Sequence, residues 1–286
     1  MRILITGSSG TLGTVLATKF KADGFEIYAM TRTTMDVTDE RQVRAVFLQL
    51  KPDIVFHLAA ETDVDRCEKQ KNHAYLTNVI GTRNICDACC ETGATLVFMS
   101  SAAIFDGTKL TPYREEDPPN PVNYYGETKL KGENIILSKL DRHFIIRTGW
   151  LIDGSRRDKK FVGQILRLME SKKELFVVSD TRGSPLFTFD FAATILELIR
   201  TKLYGVYHYV NAGTCSRMDL AKEIIELLDL REVSLNPISI AAYPAAAARP
   251  RREVLDDHRL RSLNLFQLPD WRVSLRRALK DSVCKS

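Results

Sequence analysis

Within its first turn of helix the chain commits to a narrow set of folds, because a short apolar run meets a glycine turn there. Arg2-Ile-Leu-Ile-Thr6 reads as a buried strand, Gly7-Ser-Ser-Gly10-Thr-Leu-Gly13 follows at once, and Val15, Leu16 and Phe20 then recur at helical spacing. Strand, tight turn and helix in this order form the entrance to a dinucleotide site. The glycines let backbone N–H groups and the positive end of the helix come close to a pyrophosphate. Gly7, Ser9, Gly10, Thr11 and Leu12 are therefore candidate cofactor contacts. The spacing is Gly-x-x-Gly-x-x-Gly rather than the commoner Gly-x-Gly-x-x-Gly, so the flanking strand and helix carry much of the assignment.

The pattern then alternates. Phe25 to Ala29 reads as a second strand, and at its end, where many NAD sites hold an acidic residue for the ribose hydroxyls, the chain has Met30-Thr-Arg32. Arg32 suits a 2′-phosphate, which favours NADP(H) and leaves NAD(H) possible; a solvated arginine is the plain alternative. Asp36 and Val37 come next, placed to sit beside an adenine. Thr38 or Asp39 caps a helix whose Val43, Val46, Phe47 and Leu50 share one face, and Pro52 ends it. Asp53 to Ala60 reads as a third strand. Leu58, Ala59 and Ala60 at its exit suit close passage of a cofactor, while His57 in the apolar run reads as a hydrogen-bonded core residue. Asn78, on the helix leading to a fourth strand at Thr95 to Met99, is a further candidate cofactor contact. Residues 1–150 thus predict an α/β, Rossmann-type doubly wound parallel sheet with its ligand at the C-terminal edge. Beyond Ile145 to Thr148 the βαβ alternation loosens. Helices are expected near 160–170, 189–200 and 217–228, with strand-like pieces at 176–179 and 206–209. Residues 151–286 therefore read as a smaller, mainly substrate-binding region, with room for the chain to cross between the two.

The chemistry centres on Asn123-Tyr-Tyr-Gly-Glu-Thr-Lys129. In a helix starting there, Tyr125 and Lys129 lie four residues apart on one face. An ammonium fixed near a phenol favours the phenolate, so the expectation is that Lys129 lowers the tyrosine pKa and lets the pair exchange a proton with a sugar hydroxyl or ketone. Ser100 and Ser101 lie where the fourth strand ends, and Ser101 completes a set of hydroxyl, phenol and ammonium around a reacting carbonyl. A turn or cap role is the alternative for these serines. The Pro-, Asp- and Gly-rich segment 105–123 is expected to be an irregular loop that could lie over the sugar.

Composition excludes several classes. At 286 residues the chain can bury a large core, and 44% hydrophobic with 27% charged residues is ordinary for a globular protein. No apolar run reaches the length of a membrane span, and a strand beginning at Arg2 leaves no room for a signal peptide, so a cytoplasmic location is expected. The net charge of +5 suits a nucleotide diphosphate, but the basic residues form no nucleic-acid stripe. Six cysteines, at 67, 86, 89, 90, 215 and 284, have no framework spacing and no histidine cluster beside them. Reduced structural thiols are expected, and no metal site.

These motifs carry a resemblance over nearly the whole chain. Gly7 to Gly13, His57-Leu-Ala-Ala-Glu-Thr-Asp-Val-Asp65 with Glu68, Phe105-Asp-Gly-Thr108, Asn120 to Glu133, Arg147-Thr-Gly-Trp150, Gly183-Ser-Pro185 and Arg249-Pro250 make it similar to the extended short-chain dehydrogenases/reductases. Within them it resembles the dTDP-4-dehydrorhamnose reductase family. The resemblance implies an oxidoreductase of dTDP-rhamnose and polysaccharide biosynthesis, acting as monomer or homodimer. It implies a triad of Ser101, Tyr125 and Lys129: Tyr125 would protonate the C4 oxygen of a nucleotide-linked 4-keto-6-deoxy sugar, Lys129 would hold the nicotinamide ribose, and Ser101 would orient the carbonyl. Thr62 matches a cofactor contact. Val64, Trp150 and Arg249 fall in the sugar-binding motifs. Ala102 and Ala103 stand where the family has an aspartate and a tyrosine that help bind the sugar, and Ser-Ser-Ala-Ala is closer to the sugar-nucleotide epimerases. Two alternatives remain on the same fold: an NAD-dependent epimerase or dehydratase, and a non-catalytic regulatory subunit similar to the β subunit of methionine adenosyltransferase.

Overall fold

The computed structural model describes residues 1–155, 158 and 160–283; Cys284 lies outside them. Strands β1 (Arg2–Thr6), β2 (Glu26–Met30), β3 (Ile54–His57), β4 (Thr95–Met99) and β5 (His143–Arg147) pair in parallel. The strand Gly205–His208 joins beyond β5, also in parallel. From one edge the order is β2, β1, β3, β4, β5 and Gly205–His208. The chain turns outward from β1 to β2 and returns past β1 to β3, so the strand order reverses between β1 and β3. That switch point opens a crevice at the strands' C-terminal ends.

Parallel strands covered on both faces must be apolar on both, as β1, β3 and β4 largely are, while the edge strand β2 is partly exposed. Alternate side chains divide between two cores, as a period of two requires. Ile3, Ile5, Phe56, Val97 and Phe144 point toward helix α1 (Thr11–Ala22) and the helix Thr188–Thr201. Leu4, Val55, Leu96, Phe98 and Ile145 face helix α2 (Glu40–Leu50), Gly81–Thr92 and Tyr124–Lys139. The Asp39 side chain accepts the Gln42 N–H to start α2, and the helix ends at Lys51, φ +46. His57 is 1% exposed, held by Thr6 Oγ1 at 2.9 Å and Thr82 Oγ1 at 3.1 Å. It is the core residue expected, and burial, helped by the Lys129 charge, drops its pKa to about 3.

The alternation expected to lapse after residue 150 instead resumes. Thr188–Thr201 and Gly205–His208 complete one more crossover from β5, a return that local pattern could not show because the segments lie about forty residues past the fifth strand. The remaining chain gathers around a second core of Trp150, Leu175, Leu220, Trp271 and Leu275. Three short parallel pairs serve it: Trp150–Ile152 with Pro185–Phe187, Glu174–Val178 with Ser234–Ile238, and Arg182–Gly183 with Arg252–Glu253. Among the described residues no helix is long and apolar enough to cross a membrane, and Cys67, Cys86, Cys89, Cys90 and Cys215 are free thiols.

Candidate active site

A cleft of about 630 Å³ lies over the C-terminal ends of the strands, between the sheet and the smaller region. Every site residue singled out in the sequence lines it except Asn78 and Ala102. At one end is the glycine turn. Gly7 has φ +61, and a Cβ there would come within 2.8 Å of the Ala59 backbone nitrogen; at Gly13 it would meet the Gly7 carbonyl oxygen at 2.6 Å. Only glycine permits this approach of strand, turn and helix. Gly10 leads into α1 with no side-chain cap and no acidic residue in the first turn, so the positive helix end is left for a ligand. Thr6 Oγ1 accepts N–H bonds from Leu58 and Ala59 at 3.1 and 3.0 Å, tying the exits of β1 and β3 together under this end. The Arg32 side chain is 77% exposed, 3.4 Å from Asp36, and extends past β2 with a free guanidinium face. These groups fit a dinucleotide carrying an extra phosphate on its adenosine side.

At the middle of the cleft stand Ser101, Tyr125 and Lys129. Asn123 caps the helix Tyr124–Lys139 by accepting the Gly126 N–H at 2.9 Å, and donates to the Ala248 carbonyl at 2.9 Å. Gly126 lets this helix end press on the turn carrying Ser101: a Cβ there would fall 2.1 Å from the Ala103 carbonyl oxygen. Ser101 Oγ accepts the Ala103 N–H at 3.1 Å, which turns its hydroxyl toward the Tyr125 side of the cleft. Burial pushes the Tyr125 pKa up to about 12, with the neighbouring Ser101 hydroxyl working against it. Lys129 contributes nothing to that balance, which corrects the expectation from spacing. Its ammonium lies over the Phe98 ring, 4.4 Å from the centroid, and burial takes its own pKa down to about 8 while Glu133 acts in the opposite sense. Helical proximity put both groups on one face; it did not aim the charge at the phenol.

Glu133 continues the same row one turn further and is 1% exposed. It forms an ion pair with Arg147 at 2.7 Å and accepts the Ser100 hydroxyl, pinning the helix to β4 and β5. Ser100 therefore serves structure and Ser101 faces the cleft.

Two candidates are corrected. Asn78 is 1% exposed and bonds protein: its Oδ1 accepts the Glu61 N–H at 2.7 Å, and its Nδ2 donates to the Glu61 carbonyl and Thr128 Oγ1, each at 3.0 Å. It fastens the loop after β3 to the tyrosine helix and does not line the cleft. Ala102 packs with Ile104, Phe105 and Leu255 behind the cleft, whereas Ala103 lines it. The loop expected to lie over the sugar contributes only Asn123 to the lining. Tyr113 stacks on Phe105 at 4.3 Å and bridges to Leu255, which draws the loop away from the cleft.

At the far end Trp150 rests against Gly183, where a Cβ would meet the indole at 2.5 Å, and donates its Nε1–H to Glu253 at 2.9 Å. Val64 and Thr62 lie nearby, and Lys160 donates to Thr62 Oγ1 at 3.2 Å. Arg249 is paired with Asp65 at 3.0 Å. Glu253, Lys160 and Arg217 line this end without having been foreseen. Only the neighbouring Arg249-Pro250 motif pointed toward one of them.

A glycine turn at the switch point, with serine, tyrosine and lysine converging in the same cleft, is the arrangement of an extended short-chain dehydrogenase/reductase. Comparison with known proteins narrows this. The chain belongs to the RmlD substrate binding domain family, whose model matches residues 1–284. It is 36% identical to the spore coat polysaccharide biosynthesis protein SpsK of Bacillus subtilis, over 98% of this chain and 97% of that one. It is 34% identical to the dTDP-4-dehydrorhamnose reductase of Mycolicibacterium smegmatis, over 97% and 85%. The crystal structure of Bacillus anthracis dTDP-4-dehydrorhamnose reductase in complex with NADP superposes with a TM-score of 0.94 at 36% identity, covering 98% and 99%. The chain is an oxidoreductase of this family.

Proposed function

We propose that this protein reduces the C4 ketone of a nucleotide-linked 4-keto-6-deoxy sugar with NADPH, and that dTDP-4-dehydrorhamnose is its substrate. The observation that carries the reading is the meeting of Ser101, Tyr125 and Lys129 in the same cleft as the glycine turn. The glycine turn and the end of α1 hold the cofactor's pyrophosphate, and Arg32 takes the 2′-phosphate. The cofactor supplies a hydride to the ketone carbon. Tyr125 gives its phenolic proton to the ketone oxygen, and Ser101, donating to the same region, orients that oxygen. A phenol whose pKa is near 12 stays protonated across the neutral range, which is the form reduction needs. Lys129, cationic below about pH 8, draws the forming alkoxide's charge and holds a ribose hydroxyl.

The test is loss of reduced-nicotinamide absorbance when purified protein and NADPH meet dTDP-4-dehydrorhamnose. Consumption by the wild type, abolished in Tyr125→Phe with cofactor affinity kept, supports the reading. No consumption despite NADPH binding would overturn the substrate assignment. Arg32→Ala should weaken NADPH about 10- to 100-fold and NADH far less, since a charge-assisted phosphate contact is worth about 1.5–3 kcal/mol. Stoichiometric NAD+ carried through purification would instead favour an epimerase.

A further inference from the structure

After the strand Ser234–Ile238 the chain forms one short turn at Ile240–Ala242 and then runs without regular structure to Arg252. This strap leaves the smaller region, reaches the helices of the parallel sheet and returns, with Arg249 and Pro250 lining the far end of the cleft. Its sequence, Ala-Ala-Tyr-Pro-Ala-Ala-Ala-Ala-Arg-Pro from Ala241 to Pro250, has little to bury. Residues 241–246 are exposed, as is Ala248, and only Ala247 and Pro250 are buried. From Pro244 to Pro250 the main chain makes no backbone–backbone hydrogen bond among the described residues. A run of methyl side chains with no ladder of its own is not fixed by local structure.

Two aspartates fix it instead. At the near end Asp180 accepts the Ser239 hydroxyl at 2.6 Å and the Ile240 N–H at 2.7 Å. At the far end stands Asp65, in the first turn of the helix Val64–Lys69. Its Oδ1 accepts the N–H groups of Ala246 and Ala247, each at 2.9 Å, while its Oδ2 holds the Arg249 guanidinium at 3.0 Å. Arg249 in turn donates to the Ala247 carbonyl at 3.0 Å. Burial acts to raise the Asp65 pKa, yet the Ala247 N–H, the Arg249 charge and the Ala246 N–H together take it below the ordinary value, so carboxylate and strap stabilise each other. A further tie runs from the Asn123 amide to the Ala248 carbonyl, and Asn123 also caps the helix that carries Tyr125.

We infer that Asp65 is a positioning residue: it latches this strap as a movable wall at the far end of the cleft, and a ligand there binds the latched form. The ligand half of the inference rests on the reading of the cleft as a site for a nucleotide-linked sugar. Asp65 does not itself line the cleft and acts through Arg249 and Pro250, which it keeps facing inward. The plainer account is that Asp65 only neutralises Arg249. The two accounts predict opposite signs. Taking a carboxylate away from a cation in the cleft strengthens binding of an anion, whereas releasing the wall weakens it.

The test compares wild type with Asp65→Asn and Asp65→Ala, all saturated with NADP+, in two measurements. In hydrogen exchange, the amides of residues 246 and 247 should exchange about 10- to 100-fold faster in Asp65→Ala, the factor that losing bonds to a charged acceptor implies. Amides of β4 and of Ile240, held by Asp180, should be unchanged, which excludes unfolding as the cause. Asp65→Asn keeps an oxygen for the N–H groups without the charge and should fall between. In titrations with dTDP, Asp65→Ala should bind about 10-fold more weakly, because the released wall spends less time in the binding form, while NADP+ affinity stays at the wild-type value. Tighter dTDP binding by the variants, or equal exchange at 246 and 247 in wild type and Asp65→Ala, would overturn the inference. A wild type that binds no dTDP would refute the nucleotide-sugar reading and the ligand half with it, and the exchange at 246 and 247 would still decide the latch by itself.

Discussion

Replacing Lys129 by methionine should stabilise the protein while destroying its activity. The side chain is 4% exposed and lies over Phe98, a site that a methionine of similar length can fill. The fold holds the ammonium with a pKa near 8 against an ordinary 10.5, and that difference corresponds to about 3 kcal/mol withheld from stability at neutral pH. Glu133 loses a nearby cation in the variant but keeps its 2.7 Å pair with Arg147, so it is not left as a lone buried charge. Allowing for imperfect packing, the net gain is about 1–3 kcal/mol, or a rise in Tm of roughly 2–8 °C. The sign has a pH signature. Lys129 binds its proton less tightly in the folded chain than in the unfolded one, so wild-type stability rises as pH passes from about 8 toward the ordinary lysine value, and the variant's lead shrinks over that interval. Urea melts of both proteins at pH 7 and pH 10, with NADPH turnover measured alongside, read all of this. A variant less stable than wild type at pH 7, or a lead that does not narrow at pH 10, would refute the account of Lys129 as a charge kept at a cost to the fold.

The same pKa places a limb in the rate profile: kcat/KM for reduction should fall as pH rises through about 8, where Lys129 loses its charge, while Tyr125 near 12 stays loaded. A profile flat to pH 10 would remove the requirement for the ammonium. Gly126→Ala sets a Cβ 2.1 Å from the Ala103 carbonyl oxygen, so the helix must retreat from the Ser101 turn; turnover should drop about 100-fold, as displacements of order 1 Å do, and an unchanged kcat would show that the Ser101–Tyr125 contact is dispensable. Asn78→Ala strips the Glu61 N–H and carbonyl of their buried partner and should cost about 1–3 kcal/mol, read as a lower urea midpoint with weakened NADPH binding; an unchanged midpoint would contradict its role as a clamp.

What could be read from the sequence was whatever depends on neighbours a few residues apart. The glycine turn, the α2 cap and the shared face of Tyr125 and Lys129 are of this kind, and the structure contains each of them. What could not be read are contacts set by the meeting of distant segments. Trp150 and Glu253 bond across 103 residues, and the Arg217 guanidinium meets the Trp150 ring only once its helix folds back. Asn78 illustrates the same limit from the other side. A polar residue near a cofactor loop invites assignment to the cofactor, and only the bonds from Asn78 to Glu61 and Thr128 reveal that it spends its donors and acceptor on protein. Glu133 lies between these cases. The i,i+4 row that links Tyr125 to Lys129 runs on to Glu133, and a carboxylate on the buried stripe of a helix needs a cationic partner. Arg147, the last residue of β5 and buried there, supplies that partner from the other element. That pair matters to the chemistry because it satisfies Glu133 without Lys129. The ammonium is consequently left desolvated and only weakly held, available to a ligand in the cleft instead of being consumed by its nearest carboxylate.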